Sequence, residues 1–122
     1  MSAPLSCILG ISGPRLKKSE AVFLRDANPW GVILFGRNVE SPEQLSRLTR
    51  DIRAAMGRNT LIFIDQEGGR VARLRSPHWR EWSPALTLAE APELVEAERC
   101  AALSLRYEII GRELRACGID VD

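Results

Sequence analysis

The chain is poor in the residues that build metal centres and disulfide frameworks. It has one histidine, His78, and three cysteines, Cys7, Cys100 and Cys117. The cysteines are odd in number, far apart and set among apolar residues, so they read as reduced core thiols, and metal-ligand spacings are missing. No cofactor is implied. No segment approaches the roughly 18 consecutive apolar residues of a membrane span. The first thirteen residues lack the basic region and long apolar core of a secretory signal. Seventeen basic and sixteen acidic residues leave a formal charge of +1. No global field would draw such a chain to nucleic acid or an anionic membrane. These absences lead to the expectation of a cytoplasmic protein with no nucleic-acid and no membrane partner. What remains is an ordinary globular composition, 45% hydrophobic and 27% charged over 122 residues, enough for one small domain with a core.

The stretch that organises the chain is Leu61-Ile62-Phe63-Ile64-Asp65-Gln66-Glu67-Gly68-Gly69-Arg70-Val71-Ala72-Arg73. It opens as a short apolar run with the branching expected of a strand buried on both faces. Polarity then switches at once to Asp65, Gln66 and Glu67, and two glycines allow a sharp turn or a close approach to a ligand. A carboxylate and a guanidinium can hold vicinal hydroxyls together, one accepting hydrogen bonds and the other donating them. At the end of a rigid strand such a pair would fix a sugar. The plainer alternative is that these charges pair with one another around a strand-to-loop turn.

The remaining elements alternate. Residues 6–11 form a first strand, closed by Ser12-Gly13-Pro14. Ser19 is expected to cap a helix over 19–27 with Val22, Phe23 and Ala27 near one face, and Asn28-Pro29 ends it. Residues 31–35 form a second strand, followed by the exit loop Gly36-Arg37-Asn38. Ser41-Pro42-Glu43-Gln44 has the residues of a capping box with proline in the first helical position. Leu45, Leu48, Ile52 and Ala55 then make one buried stripe, and Gly57 ends that helix. An irregular stretch covers 76–88. A long helix is expected over 92–117 with Leu94, Ala97, Ala101, Leu105 and Ile109 on its inner side, terminated by Gly118. Residues 119–122 start a fourth strand.

Strands alternating with amphipathic helices imply a parallel sheet with right-handed crossovers. Two architectures fit, a small doubly wound sheet or the first part of an eight-fold barrel. An ending inside a strand suits a larger fold, so residues 1–122 are expected to be the amino-terminal portion of one.

The runs Gly31-Val32-Ile33-Leu34-Phe35-Gly36-Arg37-Asn38, Ser41-Pro42-Glu43-Gln44-Leu45 and Ile64-Asp65-Gln66-Glu67-Gly68-Gly69-Arg70-Val71 with Arg73 resemble the amino-terminal part of bacterial family 3 β-N-acetylhexosaminidases. These are glycosidases of peptidoglycan recycling. The resemblance runs the length of the chain, to Gly118-Ile119-Asp120-Val121-Asp122. It implies an α/β fold, the amino-terminal part of a (β/α)8 TIM barrel with its active site at the carboxyl ends of the strands. It implies a retaining mechanism that releases non-reducing terminal β-linked N-acetylglucosamine, with N-acetylglucosamine-containing muropeptides as substrates.

By the same resemblance, Asp65 and Arg73 bind substrate hydroxyls, while Glu67 and Arg70 support the loop through ion pairs and backbone hydrogen bonds. The family's nucleophilic aspartate and its acid/base histidine belong to later strands and loops, so no catalytic residue is expected within this chain. His78 sits where the family's histidine is not found and is expected to be structural or rim-forming. Asp120 and Asp122 lie at a strand start and are poor nucleophile candidates. Trp79 and Trp82 are expected to pack against a helix rather than stack on a sugar. The competing readings are a sugar-binding module without catalysis and a complete small α/β interaction domain.

Overall fold

The computed structural model describes residues 3–122. Three strands, β1 (Leu5–Gly10), β2 (Pro29–Leu34) and β3 (Leu61–Ile64), pair side by side in sequence order, all parallel. A fourth position follows on the free edge of β3, where Val121 bridges Phe63 in parallel. There the amides of Ile64 and Val121 exchange bonds with the carbonyls of Val121 and Ile62 at 3.0 and 3.1 Å. A doubly wound sheet reverses its strand order partway across. This sheet runs 1-2-3 and then to Val121 without reversal, which is the progression of a barrel wall.

The crossovers are α1 (Lys18–Ala27), α2 (Pro42–Met56) and α4 (Glu96–Ala116), with a short α3 (Ala85–Ala89) before the last. Helix α2 starts as its sequence requires. Ser41 Oγ accepts the Gln44 amide at 3.2 Å, and the Gln44 side chain returns to the Glu40 amide at 2.8 Å. Gly57 ends it at φ +64°, a left-handed conformation that suits glycine. Helix α1 begins differently from expectation. Ser19 lies inside the helix, and Glu20 makes the cap by accepting the amides of Ser12 at 2.7 Å and Lys17 at 3.0 Å. With one oxygen on each amide, the carboxylate ties both the cap residue and the loop after β1 to the first turn of the helix. Its buried contact is Leu24, while Val22 and Phe23 are exposed.

The core lies between the helices and one face of the sheet. Val32, Leu34, Ile62 and Ile64 alternate onto that face and meet Leu24, Leu45, Leu48, Ile52 and Ile110. The opposite face carries Ile33, Leu61 and Phe63, which stay half-buried, and β1 has no buried residue. Period-two alternation sends every second side chain to the helices, and the others point to what is the interior side of a barrel wall, which residues 3–122 cover only in part.

The inner stripe of α4 is also corrected. Ala97, Ala101 and Leu105 are exposed, and the buried positions are Arg106, Ile110 and Leu114. The shift follows from Arg106, a charged residue that sits in the interior and that an apolar count passes over. Residues 92–95 precede the helix rather than belonging to it.

Candidate functional site

The carboxyl ends of β2 and β3 carry the polar side chains. After β2, Gly36–Asn38 forms a single 3-10 turn whose conformation is set by Asn38, which is fully buried. Its Oδ1 accepts the Phe35 amide at 2.8 Å, and its Nδ2 donates to the carbonyls of Ile11 at 3.2 Å and Gly13 at 2.8 Å. One amide side chain thereby binds the exits of β1 and β2 together.

After β3 the chain passes through Asp65 into a small antiparallel hairpin, β4 (Gln66–Gly68) and β5 (Val71–Ala72). Gly68 and Gly69 turn it at φ +99° and +58°. A side chain at Gly68 would overlap the Arg106 guanidinium and come within 2.6 Å of the Ser83 carbonyl, so this position demands glycine for space as well as for backbone angle.

The hairpin brings Arg73 back to the strand end that carries Asp65. Arg73 Nη2 donates to Asp65 Oδ2 at 3.0 Å. The pair is neither sealed nor fully solvated, with 28% of the Arg73 side chain and 39% of that of Asp65 exposed. The Arg73 guanidinium also stands 6.0 Å from the centre of the Phe35 ring. Held this way, the remaining lone pairs of Asp65 and donors of Arg73 are available to a ligand.

Gln66 lies between two outward-facing acids and is itself 1% exposed. Its Oε1 accepts the amides of Arg73 and Leu74, and its Nε2 donates to the Leu74 carbonyl. Leu74 and Trp79, just downstream, are buried in the core. The return arm is thus anchored on both sides of Arg73.

The side chains of Glu67 and Arg70 are exposed, and among the described residues neither makes an ion pair. Both project from the hairpin tip, where water solvates them. The loop is held through their carbonyls instead. Arg106 Nη2 donates to Glu67 O at 2.7 Å and to Ser83 O at 2.6 Å, and Arg75 Nη2 donates to Arg70 O at 3.1 Å. Gln66 as a clamp was signalled by strand alternation, which turns the residue after Asp65 inward. Arg106 had no such signal, because nothing local marks a lone arginine on α4 as buried.

Beside Arg73 lies an open cleft of about 470 Å³ lined by Gly36, Glu40, Arg75, His78 and Trp79 among others. His78 is exposed, stacked edge-on against Trp79 with ring centres 5.7 Å apart, and among the described residues it forms no ion pair with a carboxylate. Trp82 packs under the Arg106 guanidinium at 5.3 Å. Asp120 and Asp122 serve the backbone: Asp120 Oδ2 accepts the Ile62 amide at 2.8 Å and Arg53 at 2.7 Å, and Asp122 Oδ1 accepts the Gln66 amide at 2.7 Å. Among the described residues no cluster of side chains is arranged to hold a metal ion, and no helix is long and apolar enough to cross a membrane.

A parallel sheet wound in one sense, with polar side chains gathered at its carboxyl edge, is the build of the (β/α) barrel enzymes, whose sites form there. Within that class the chain belongs to glycosyl hydrolase family 3: the family's N-terminal domain matches residues 5–122. Relatives include a protein named beta-hexosaminidase from Nitrosomonas eutropha, 42% identical over 119 residues, covering 93% of this chain and 32% of the relative. A beta-hexosaminidase from Bordetella avium is 38% identical over 121 residues, covering 97% of this chain and 34% of the relative. Among solved structures, NagZ from Neisseria gonorrhoeae with a zinc ion superposes with a TM-score of 0.77 at 31% identity, over 95% of this chain and 35% of that one. A second crystal of that protein holds N-trifluoroacetyl-D-glucosamine and superposes with a TM-score of 0.74 at 30% identity, over 96% and 36%. The chain spans about a third of the length of the curated relatives it matches.

Proposed function

We propose that the protein carrying this chain is a β-N-acetylhexosaminidase that releases terminal β-linked N-acetylglucosamine. The observation that carries the reading is the Asp65–Arg73 pair, 3.0 Å apart and half open at the carboxyl end of β3. A neutral sugar offers neighbouring hydroxyls that donate and accept. A carboxylate beside a guanidinium matches such a pair at short range without requiring a ligand charge. The ligand of the Neisseria neighbour, N-trifluoroacetyl-D-glucosamine, is a sugar of the same kind.

In this reading residues 1–122 form the amino-terminal portion of the catalytic barrel, and Asp65 and Arg73 orient the non-reducing sugar. The resemblance assigns a retaining double displacement, in which an aspartate attacks the anomeric carbon and a histidine serves as proton donor and acceptor. In this proposal both belong to later parts of the family's barrel, and residues 1–122 supply binding and orientation. A sugar fixed in its reacting geometry makes the attack effectively intramolecular, so binding residues contribute to turnover as well as affinity. Muropeptide fragments as natural substrates and a cytoplasmic location belong to the same proposal, supported by the resemblance to recycling enzymes.

The test is hydrolysis of a chromogenic β-N-acetylglucosaminide by the whole protein and by its Asp65→Ala variant. Turnover by the parent, with kcat/KM lowered about ten- to a hundred-fold in the variant, is expected from the loss of a hydrogen bond to a charged group. Unchanged kinetics in the variant would return Asp65 to a structural role.

A further inference from the structure

We propose that Gln66 is the positioning residue of the Asp65–Arg73 pair and thereby sets how strictly the site requires the sugar hydroxyls. This rests on the reading of Asp65 and Arg73 as a hydroxyl-binding pair.

The backbone ladder that should place Arg73 ends before reaching it. The hairpin pairs Gln66 with Ala72 and Gly68 with Val71, with an irregularity between them, and β5 is two residues long. Beyond Ala72 the side chain of Gln66 takes over the part of a neighbouring strand. Its Oε1 accepts from Arg73 N at 2.8 Å and Leu74 N at 3.0 Å, and its Nε2 donates to Leu74 O at 2.9 Å. Two consecutive residues therefore grip the return arm twice. Asp65 holds the Arg73 guanidinium at 3.0 Å, and Gln66 holds the Arg73 backbone. Gln66 is in turn fixed to the sheet, because its own amide donates to Asp122 Oδ1 at 2.7 Å, one residue after the Val121 bridge to Phe63.

A side-chain amide is the group this place requires. It must accept two N–H groups and donate to one carbonyl, all in a buried setting. Glutamate at the same length would keep the acceptors, lose the donor and bring a charge against the Leu74 carbonyl. Methionine would fill the space and leave all three backbone groups unmet. With methionine the Arg73 backbone loses its fixed point, and with glutamate the arm keeps its acceptors but is pushed off at the Leu74 carbonyl, while Asp65 and Arg73 keep their side chains in both. The guanidinium then meets the carboxylate over a range of positions, and a binding group misplaced by a fraction of an ångström no longer distinguishes a hydroxyl from its absence.

The experiment compares the whole protein with Gln66→Met, Gln66→Glu and Asp65→Asn on a chromogenic β-N-acetylglucosaminide and its singly deoxygenated analogues, with urea melts to establish folding. For the parent, the analogue lacking the hydroxyl held by the pair should lose roughly ten- to a hundred-fold in kcat/KM. In Gln66→Met that penalty should shrink to within about three-fold, as coupled groups require in a cycle, with Gln66→Glu between the two. A destabilised but normally oriented site would keep the full penalty, so the ratio separates positioning from general stability. A full penalty in a folded Gln66 variant, or failure of both Gln66 variants to fold, overturns the proposal and makes Gln66 structural. If Asp65→Asn alone abolishes the penalty, only the positioning role falls. If Asp65→Asn also keeps it, the hydroxyl-binding reading beneath it falls as well.

Discussion

The guanidinium of Arg106, halfway along α4, donates to the carbonyl of Glu67 at 2.7 Å, so the helix that follows the site holds the turn that forms it. The same group reaches Ser83 O at 2.6 Å and stacks against Trp82 and Tyr107 at 5.3 and 5.6 Å. It is 3% exposed and has no carboxylate partner among the described residues. Two carbonyl dipoles and two ring faces stand in for a counter-charge.

Replacing Arg106 with methionine should therefore destabilise the fold by about 2–4 kcal/mol, the loss of two charge-assisted bonds that leaves their acceptors buried. Arg106→Lys should recover little of it, since the shorter side chain does not carry its ammonium to the place of Nη2 and has no planar group to lie against Trp82 and Tyr107. Urea melts at constant m-value measure both. Stability within about 0.5 kcal/mol of the parent in the methionine variant would place the clamp elsewhere.

At the site itself, Arg73→Lys should keep the charge next to Asp65 and lose the planar donor set. The expected result in the whole protein is a fall in kcat/KM of about ten-fold or more with little change in the melt. Wild-type kinetics in that variant would mean that the guanidinium geometry is not used on the sugar.

The cysteines should separate by reactivity. Cys100 is exposed, Cys7 is half-buried and Cys117 is buried. Burial pushes the Cys117 thiol above its ordinary value, outweighing the opposing hydrogen bonds from Trp79 and Ser46. Iodoacetamide at neutral pH should label Cys100 first and Cys117 only after denaturation, read by mass spectrometry of peptides. Early labelling of Cys117 in the folded chain would contradict its packing.

Acid should loosen the start of α1. Burial acts to raise the Glu20 carboxyl, but the amides of Lys17 and Ser12 and the nearby Lys17 charge outweigh it and hold the group below its ordinary 4.5. A folded-state value below the unfolded one contributes stability that is present above pH 4.5 and is lost as pH falls through the folded value. Glu20→Gln should thus be less stable than the parent near pH 7, with the difference shrinking as both are titrated below pH 4.5. A difference that is constant from neutral to acid pH would rule out the carboxylate as its source.

The uncovered sheet face gives the last prediction. Leu5, Ile8 and Trp30 are 55%, 41% and 48% exposed and border an apolar cleft of about 570 Å³ with Pro4 and Cys7. An apolar patch on an open sheet edge promotes association. The 122-residue chain expressed alone should self-associate or unfold at low urea, and Trp30→Ser with Ile8→Thr should reduce the association. A sharp monomer peak on size exclusion with a cooperative melt would show the face to be tolerated in water.

Much of this architecture was legible in the sequence because its determinants are local. Ser41, Pro42 and Gln44 specify a helix start through bonds within four residues, and Gly57 and Gly118 mark helix ends by a conformation that other residues rarely adopt. The switch from Ile64 to Asp65 placed a carboxylate at a strand's end, and the order of elements gave parallel pairing by the handedness of crossovers.

What only the tertiary structure decided are the matters settled between distant residues. Which face of α4 is buried depended on Arg106 meeting carbonyls 39 and 23 positions away. The apolar pattern of the helix alone pointed to the wrong side. That Glu67 and Arg70 hold their loop through carbonyls rather than side-chain charge depended on where Arg106 and Arg75 arrive. The choice of a barrel progression over a doubly wound sheet rested on which edge of β3 received Val121, a bond between segments 58 residues apart. Local propensity reaches only as far as a helical turn or a hairpin, and packing and backbone satisfaction decide the rest.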